Sequence, residues 1–363
     1  MKNKTQPYNK KRKLNQPASG ELEELVCLGI DQHAESLVVV EQVNACVPKA
    51  ARKFTGSEEF FRWLEKRRKS ARRVVVCYEA GPCGYWLCRK LWQLGIECIV
   101  VAPKKWAENG KTKTDARDAR VLCERLFQWV EGKRKVFTLV RVPSEKQERR
   151  RALSRNRERM IKERKRLAQS GRGIGLQYQM RLRGQWWKGS RWIELASSLE
   201  ELLGPIREVL LAIEKQIELL TRRLEGFAAP KESRPSGLGA LSEAVIASEV
   251  GDYRRFENRR GPGAFFGVVP GEDSSGGRRK QLPITKTGSA TVRRYLVEAV
   301  WRMTRFQPGW HCWKKWQTRY EEAPKWRRNQ IVVAMARQLI IDLWRLRTDR
   351  TTMEELGWTP AKT

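Results

Sequence analysis

"RRVVVCYEAG", residues 72–81, governs how the first third of the chain is read. Val74 to Tyr78 are apolar without a break, which describes a strand covered on both faces, and the strand ends on an acid, Glu79. Two further β-branched runs precede it, "LVCLGID" (25–31) and "SLVVVEQV" (36–43), close enough to be adjacent strands joined by a short turn. The first of these also ends on an acid, Asp31. "IECIVVAP" (96–103) is another strand. Helices fill the gaps. In "ARKFTGSEEFFRWLEKRRKS" (51–70), Thr55 and Glu58 fit a capping box, and Phe60, Phe61, Trp63 and Leu64 recur at helical spacing. "YWLCRKLWQLG" (85–95) is a helix closed by Gly95, and "DARDARVLCERLFQWV" runs on from Asp115. The order is strand pair, helix, strand, helix, strand, helix: an α/β domain with a mixed sheet, over residues 21–145.

A carboxylate at the end of a buried strand is costly unless it is paired or coordinated. Adjacent strands would set Asp31 and Glu79 side by side, and a helix after the last strand would lay its own acids across the same edge. "KTKTDARDAR" (111–120) offers two, Asp115 and Asp118, on one helical face. Two readings stand. Either they are solvated charges balancing Lys113, Arg117 and Arg120, or they hold a metal. With Asp31 and Glu79 they make four oxygen ligands, a set suited to two hard divalent cations, the usual device for phosphodiester chemistry.

The chain has 363 residues and a net charge of +33, with 74 Lys and Arg against 41 Asp and Glu. That excess favours a polyanion; nucleic acid is the first reading and an anionic membrane surface its rival. No apolar run is long enough to span a bilayer. Residues 1–20 read as a disordered basic arm without the apolar core of a signal peptide. Cys27, Cys77, Cys98 and Cys123 sit in apolar runs as small buried hydrophobes, and the compartment reads as reducing and cytoplasmic. With only His33 and His311, a zinc centre is not expected.

Residues 146–228 change character. "SEKQERRRALSRNRERMIKERKRLAQ" is nearly continuous charge with a thin seam of Leu153, Met160 and Leu167. The glycines of "SGRGIG" break it, and "IREVLLAIEKQIELLTRRLEGF" (206–227) restores an apolar period, so the two stretches read as an antiparallel helical hairpin or coiled coil. From 229 to 350 a mainly α-helical unit follows. It opens on glycines that resemble a helix-hairpin-helix turn, passes a polar loop, "GEDSSGGRRK", and ends in an apolar helix; residues 351–363 read as a tail. Arg278, Arg279, Lys280, Lys286, Arg293 and Arg294 are either phosphate contacts or an ordinary basic surface. The aromatics of "WHCWKKWQTRYEEAPKWRR" are either helix core or base-stacking platforms.

"GID", "YEAG" and "KTDARDA" resemble the D-E-D-D signature of RuvC-like (RNase H-like) nuclease domains, and more specifically the Piv/MooV-type DEDD transposases of bacterial insertion sequences. "FFGVVPGEDSSGGRRKQLPITKTGSATVRRYLVEAVW" is similar to that family's C-terminal transposase domain, although "GSATVRR" stands where the family has "GN". The resemblance implies that Asp31, Glu79, Asp115 and Asp118 bind Mg²⁺ or Mn²⁺, as two ions, and that Ser275, or its neighbour Ser274, is the nucleophile. It also implies a covalent phosphoserine intermediate, and a composite active site whose serine reaches the metal cluster of another subunit in a dimer of dimers. A structured bridge RNA pairing with target and donor DNA is implied as well. Arg149, Arg150, Arg151, Arg155 and Arg159 then become RNA contacts, and the cations after the serine become DNA contacts. A Piv-type DNA invertase and a RuvC-like nuclease using metal-bound water are the alternatives.

Overall fold

The computed structural model describes residues 23–103, 114–275 and 278–361. The basic arm and Lys113 therefore lie outside the described residues, as do the side chains of Ser275, Arg278 and Arg279. The chain divides into two compact units, up to Val142 and from Pro143.

The first unit is a mixed α/β domain. Its strands are β1 (Glu23–Gln32), β2 (Ser36–Val43), β3 (Arg52–Thr55), β4 (Ala71–Glu79) and β5 (Glu97–Val101), in the order β3-β2-β1-β4-β5. The first three are antiparallel neighbours, and β1, β4 and β5 are parallel. Strand alternation assigns each residue to a face. Val26, Leu28, Ile30, Val74, Val76 and Tyr78 pack with α1 (Ser57–Lys69) and α2 (Trp86–Gln93). Cys27, Val75 and Cys77 pack instead with Ala119, Leu122, Cys123 and Leu126 of α3 (Asp115–Val130).

Two local readings are corrected. β3 was hidden inside the stretch read as a helix lead-in, because "RKFT" has one apolar residue, Phe54, to bury. Thr55 therefore ends a strand instead of capping a helix. The N-cap of α1 is Gly56 at φ +84, and it is Glu59, not Glu58, that accepts from the Thr55 N–H, at 3.3 Å. Gly95, at φ +71, does follow the end of α2 as expected.

The helix α3 lies on β1 at Gly29. A Cβ there would stand 2.3 Å from both the Ala119 carbonyl oxygen and the Cys123 nitrogen, which are backbone atoms unable to yield. Gly29→Ala is thus expected to lift α3 from the sheet, costing about 2 kcal/mol or more. The check is the urea midpoint of the purified variant, and an unchanged midpoint would mean α3 does not depend on this seat.

In the second unit, α4 (Glu145–Gln177) and α5 (Gly189–Glu225) run antiparallel, with Arg157 donating to Thr221 and Arg164 to Glu214. The glycines expected to break α4 do not. Gly171 and Gly175 lie inside the helix because the returning chain packs there: a Cβ on Gly171 would meet Trp186 at 2.2 Å, and one on Gly175 would meet Leu182 at 2.7 Å. They are close-approach glycines rather than breakers.

Beyond the hairpin come α6 (Ala240–Val250) and α7 (Arg260–Phe265), then α8 (Ala290–Phe306), α9 (His311–Glu322) and α10 (Lys325–Arg347) around one apolar core. Between α7 and α8, the stretch read as a loop is an antiparallel hairpin of β6 (Pro270–Ser275) and β7 (Arg278–Ile284). Its register pairs Ser275, the last residue of β6, with Arg278, the first of β7. Trp310 and Trp313 are core residues, with the Trp310 indole N–H donating to the buried Asp342 at 3.0 Å, whereas Trp326 is exposed. The supposed tail also belongs to the core: Trp358 is buried beside Trp310, and the Thr359 N–H donates to Gln307.

Candidate metal centre

Parallel pairing of β1 and β4 sets Ile30 opposite Tyr78. Asp31 and Glu79 are the next residues of each strand, so both carboxylates stand at the same edge of the sheet. The seat at Gly29 brings the start of α3 to that edge. Thr114 caps this helix, its hydroxyl accepting from the Arg117 N–H, and Asp115 and Asp118 occupy the first turn. Acids are favoured at that end of a helix, where unpaired N–H groups carry the positive pole of the macrodipole.

The structure brings Asp31 and Asp115 together and adds a residue that the sequence reading passed over. One ligand atom from each of Asp31, His33 and Asp115 lies within 4.8 Å of the others. His33 Nε2 is 3.4 Å from Asp31 Oδ2 and 3.2 Å from Asp115 Oδ2. Side chains two apart on an extended segment share a face, so the spacing Asp31-Gln32-His33 was the available signal. Glu79 and Asp118 are half-buried and outside this trio; they follow it by one strand neighbour and one helical turn.

Two carboxylates at this separation repel unless a cation stands between them. Oxygen donors from two elements, with an imidazole beside them, fit a hard divalent ion such as Mg²⁺ or Mn²⁺. The nearby thiols do not compete. Burial pushes Cys27 and Cys123 up to about 12, so they remain protonated hydrophobes.

The cations expected at nucleic acid fall into two groups. Arg150 stacks on Phe227 at 4.7 Å, and Arg155 binds the Glu249 carboxylate through two nitrogens at 2.9 and 3.1 Å. Arg293 gives one guanidinium nitrogen to the carbonyls of Phe266, Thr287 and Gly288. These three are engaged in holding the fold. Arg149 and Arg159 are exposed and Arg151 is half-buried on α4, while Lys280 is exposed on β7 opposite Asp273. Lys286 is exposed in a left-handed conformation at φ +56. Ser274, exposed on β6, donates to Glu272 at 2.7 Å.

An acidic edge prepared for a cation, within so basic a chain, is what metal-assisted chemistry on a phosphodiester requires. Comparison with known proteins agrees. An IS110-type DEDD transposase model matches residues 28–176, and a model described as "Transposase IS116/IS110/IS902 family" matches residues 234–314. The protein y4rJ of Sinorhizobium fredii, described as a transposase, is 27% identical over 324 residues, which is 78% of this chain and 81% of y4rJ. A second from that organism, y4qE, is 33% identical over 239 residues, covering 63% of this chain and 58% of its own length. The transposase for insertion sequence element IS1328 of Yersinia enterocolitica is 25% identical over 240 residues, 62% of this chain and 69% of that one. The chain belongs to the IS110-type DEDD transposase family, and is an enzyme of DNA transposition. None of its described helices is long and apolar enough to cross a membrane.

Proposed function

We propose that this transposase cuts and rejoins DNA strands at its insertion sequence, with Ser275 as nucleophile and an RuvC-like domain over residues 21–145 as the metal-binding half. The observation that carries the reading is the meeting of Asp31 and Asp115, from strand and helix, at one edge of the sheet. Asp31, Glu79, Asp115 and Asp118 would hold two ions of Mg²⁺ or Mn²⁺, with His33 alongside. Bound there, a divalent ion would neutralise phosphate charge and favour ionisation of an attacking hydroxyl.

Ser275 Oγ forms a bond to phosphorus while a phosphorus–sugar oxygen bond breaks, and the serine proton ends on the freed sugar hydroxyl. A second sugar hydroxyl then displaces serine, which recovers its proton. Each exchange makes one phosphate ester for one broken, so rejoining needs no external energy source. In this reading the domain over 229–350 carries the serine to the acids of another subunit in a dimer of dimers. A structured bridge RNA selects target and donor DNA through Arg149, Arg151 and Arg159, while Arg278, Arg279, Lys280 and Lys286 follow the DNA backbone; Arg150, Arg155 and Arg293 keep their places in the fold. The helical hairpin over 146–228 is a coiled coil joining the two, and the protein works in the cytoplasm at the nucleoid.

The test incubates purified protein and its co-purified RNA with donor and target DNA in Mg²⁺. Rejoined strands, lost after ribonuclease treatment, are expected. Cut but never rejoined strands would replace this reading with that of a hydrolytic nuclease.

A further inference from the structure

One concave surface of α4 is lined by cations other than Arg149, Arg150, Arg151, Arg155 and Arg159. Two cavities, of about 570 and 510 Å³, share Arg164 and Lys165 as lining residues. Between them they extend along α4 from Arg157 to Arg172, about 22 Å of helix. The first also takes in Arg294 and Arg302 of α8 and the start of α6. Six cations thus line the groove beside two acids, Glu225 and Glu298, and three of the six pair with further carboxylates, Arg157 and Arg294 with Glu158 and Arg164 with Glu214.

The guanidinium groups are held in place before any ligand arrives. Arg157 donates to the Thr221 and Tyr295 hydroxyls at 2.7 and 2.8 Å, and Arg302 to the Ser242 hydroxyl at 2.8 Å. Arg172 donates to the Gly184 carbonyl and the Gln169 side chain at 3.0 and 3.3 Å. The partners of Arg302 and Arg172 are neutral, so these bonds fix the direction of the charge without cancelling it, and Lys165 is exposed between them. Arg294 and Arg164 are anchored differently, on Glu158 and Glu214. Prepositioned side chains lose little rotamer entropy on binding.

We infer that this groove is a binding track for the phosphodiester backbone of a nucleic acid, separate from the acidic centre. Its length covers several phosphates, and its concavity suits a strand more than a flat lipid surface. The inference rests on the transposase reading and deepens it by naming where the polyanion lies. On α4, Lys165 and Arg172 then add to the binding assigned to the exposed Arg149 and Arg159.

The experiment measures affinity of the full chain against salt for two probes, a duplex DNA of unrelated sequence and an RNA hairpin. Lys165→Ala with Arg172→Ala is compared with Lys215→Ala with Arg222→Ala, a charge-matched pair on exposed positions of α5 outside the groove. The groove pair is expected to lower the log–log salt slope by about 1.5–2 for at least one probe, and the α5 pair to leave it unchanged. The probe whose slope falls identifies the source of the backbone. Equal slopes for wild type and groove pair with both probes, or an equal fall in the α5 pair, would overturn the inference. Should the double variant melt early, Lys165→Gln alone gives the same comparison at half the effect. Binding requires neither Ser275 nor the four acids, so a failed strand-transfer reading and a failed groove remain distinguishable.

Discussion

Asp31→Asn and Asp115→Asn are each expected to reduce DNA strand cleavage by about 10²–10³-fold or more while the protein stays folded. Each removes a negative charge from the pair that meets at the sheet edge, where His33 Nε2 lies within 3.4 Å of one and 3.2 Å of the other. Glu79→Gln and Asp118→Asn are expected to act in the same direction. Without metal the paired carboxylates repel, so the two Asp→Asn variants should melt at the wild-type temperature or slightly above it in metal-free buffer. Adding Mg²⁺ or Mn²⁺ should raise the wild-type midpoint and leave theirs nearly unmoved, because only a folded site with both charges binds the ion well. Activity of the wild type should vanish in EDTA and return with either ion. Cleavage that persists in EDTA or in Asp31→Asn would remove the metal from the mechanism. A wild-type midpoint indifferent to divalent ions would remove the binding site itself.

The parts of this centre differed in how plainly they could be read. β1, β2, β4 and β5 announce themselves because both faces of the sheet are covered, so their apolar runs are unbroken. β3 pairs along one side only and buries Phe54 alone, leaving no period to detect. The acids were legible as strand-end residues because buried charge needs a reason. His33 was not, since one histidine in a polar turn looks like any surface residue until α3 arrives from eighty positions later. The glycines of α4 misled for a related reason. Glycine marks either a break or a close approach, and only the position of Trp186 decides between them. In "GEDSSGGRRK" the charges concealed a hairpin whose strands bury little, so turn chemistry at Gly276 and Gly277 was the only sign. Arg150, Arg155 and Arg293 show the same limit from the other side. A cation bound to a carboxylate, ring or carbonyl of its own fold is indistinguishable in sequence from one awaiting phosphate.

Ser275→Ala is expected to abolish strand exchange, a loss on the order of 10⁴-fold or more, while binding of DNA and RNA is retained. Ser275 is the last residue of β6 and pairs with Arg278, the first residue of β7. In the proposed reading this segment enters the active site of another subunit, and Gly276 and Gly277, next in sequence, add no side chains to obstruct it. The adjacent Ser274 is differently placed. Its hydroxyl already donates to Glu272 within the same strand at 2.7 Å. Ser274→Ala should therefore be the milder change, lowering the rate without removing the product. Serine is a weak nucleophile at neutral pH, and the described residues around the hairpin supply cations but no histidine, so in the proposed reading Asp31, Glu79, Asp115 and Asp118 would hold the ion that favours ionisation of Ser275. The decisive measurement traps the reaction on a nicked substrate whose freed fragment diffuses away, then locates the attached nucleotide by mass spectrometry of the digested protein. Attachment at Ser275 is the expected result. Attachment at Ser274 would make Glu272 the candidate base and transfer the chemistry one residue along the strand. Cleavage undiminished in Ser275→Ala, with no protein–DNA adduct at either serine, would mean that water, not the protein, attacks the phosphorus.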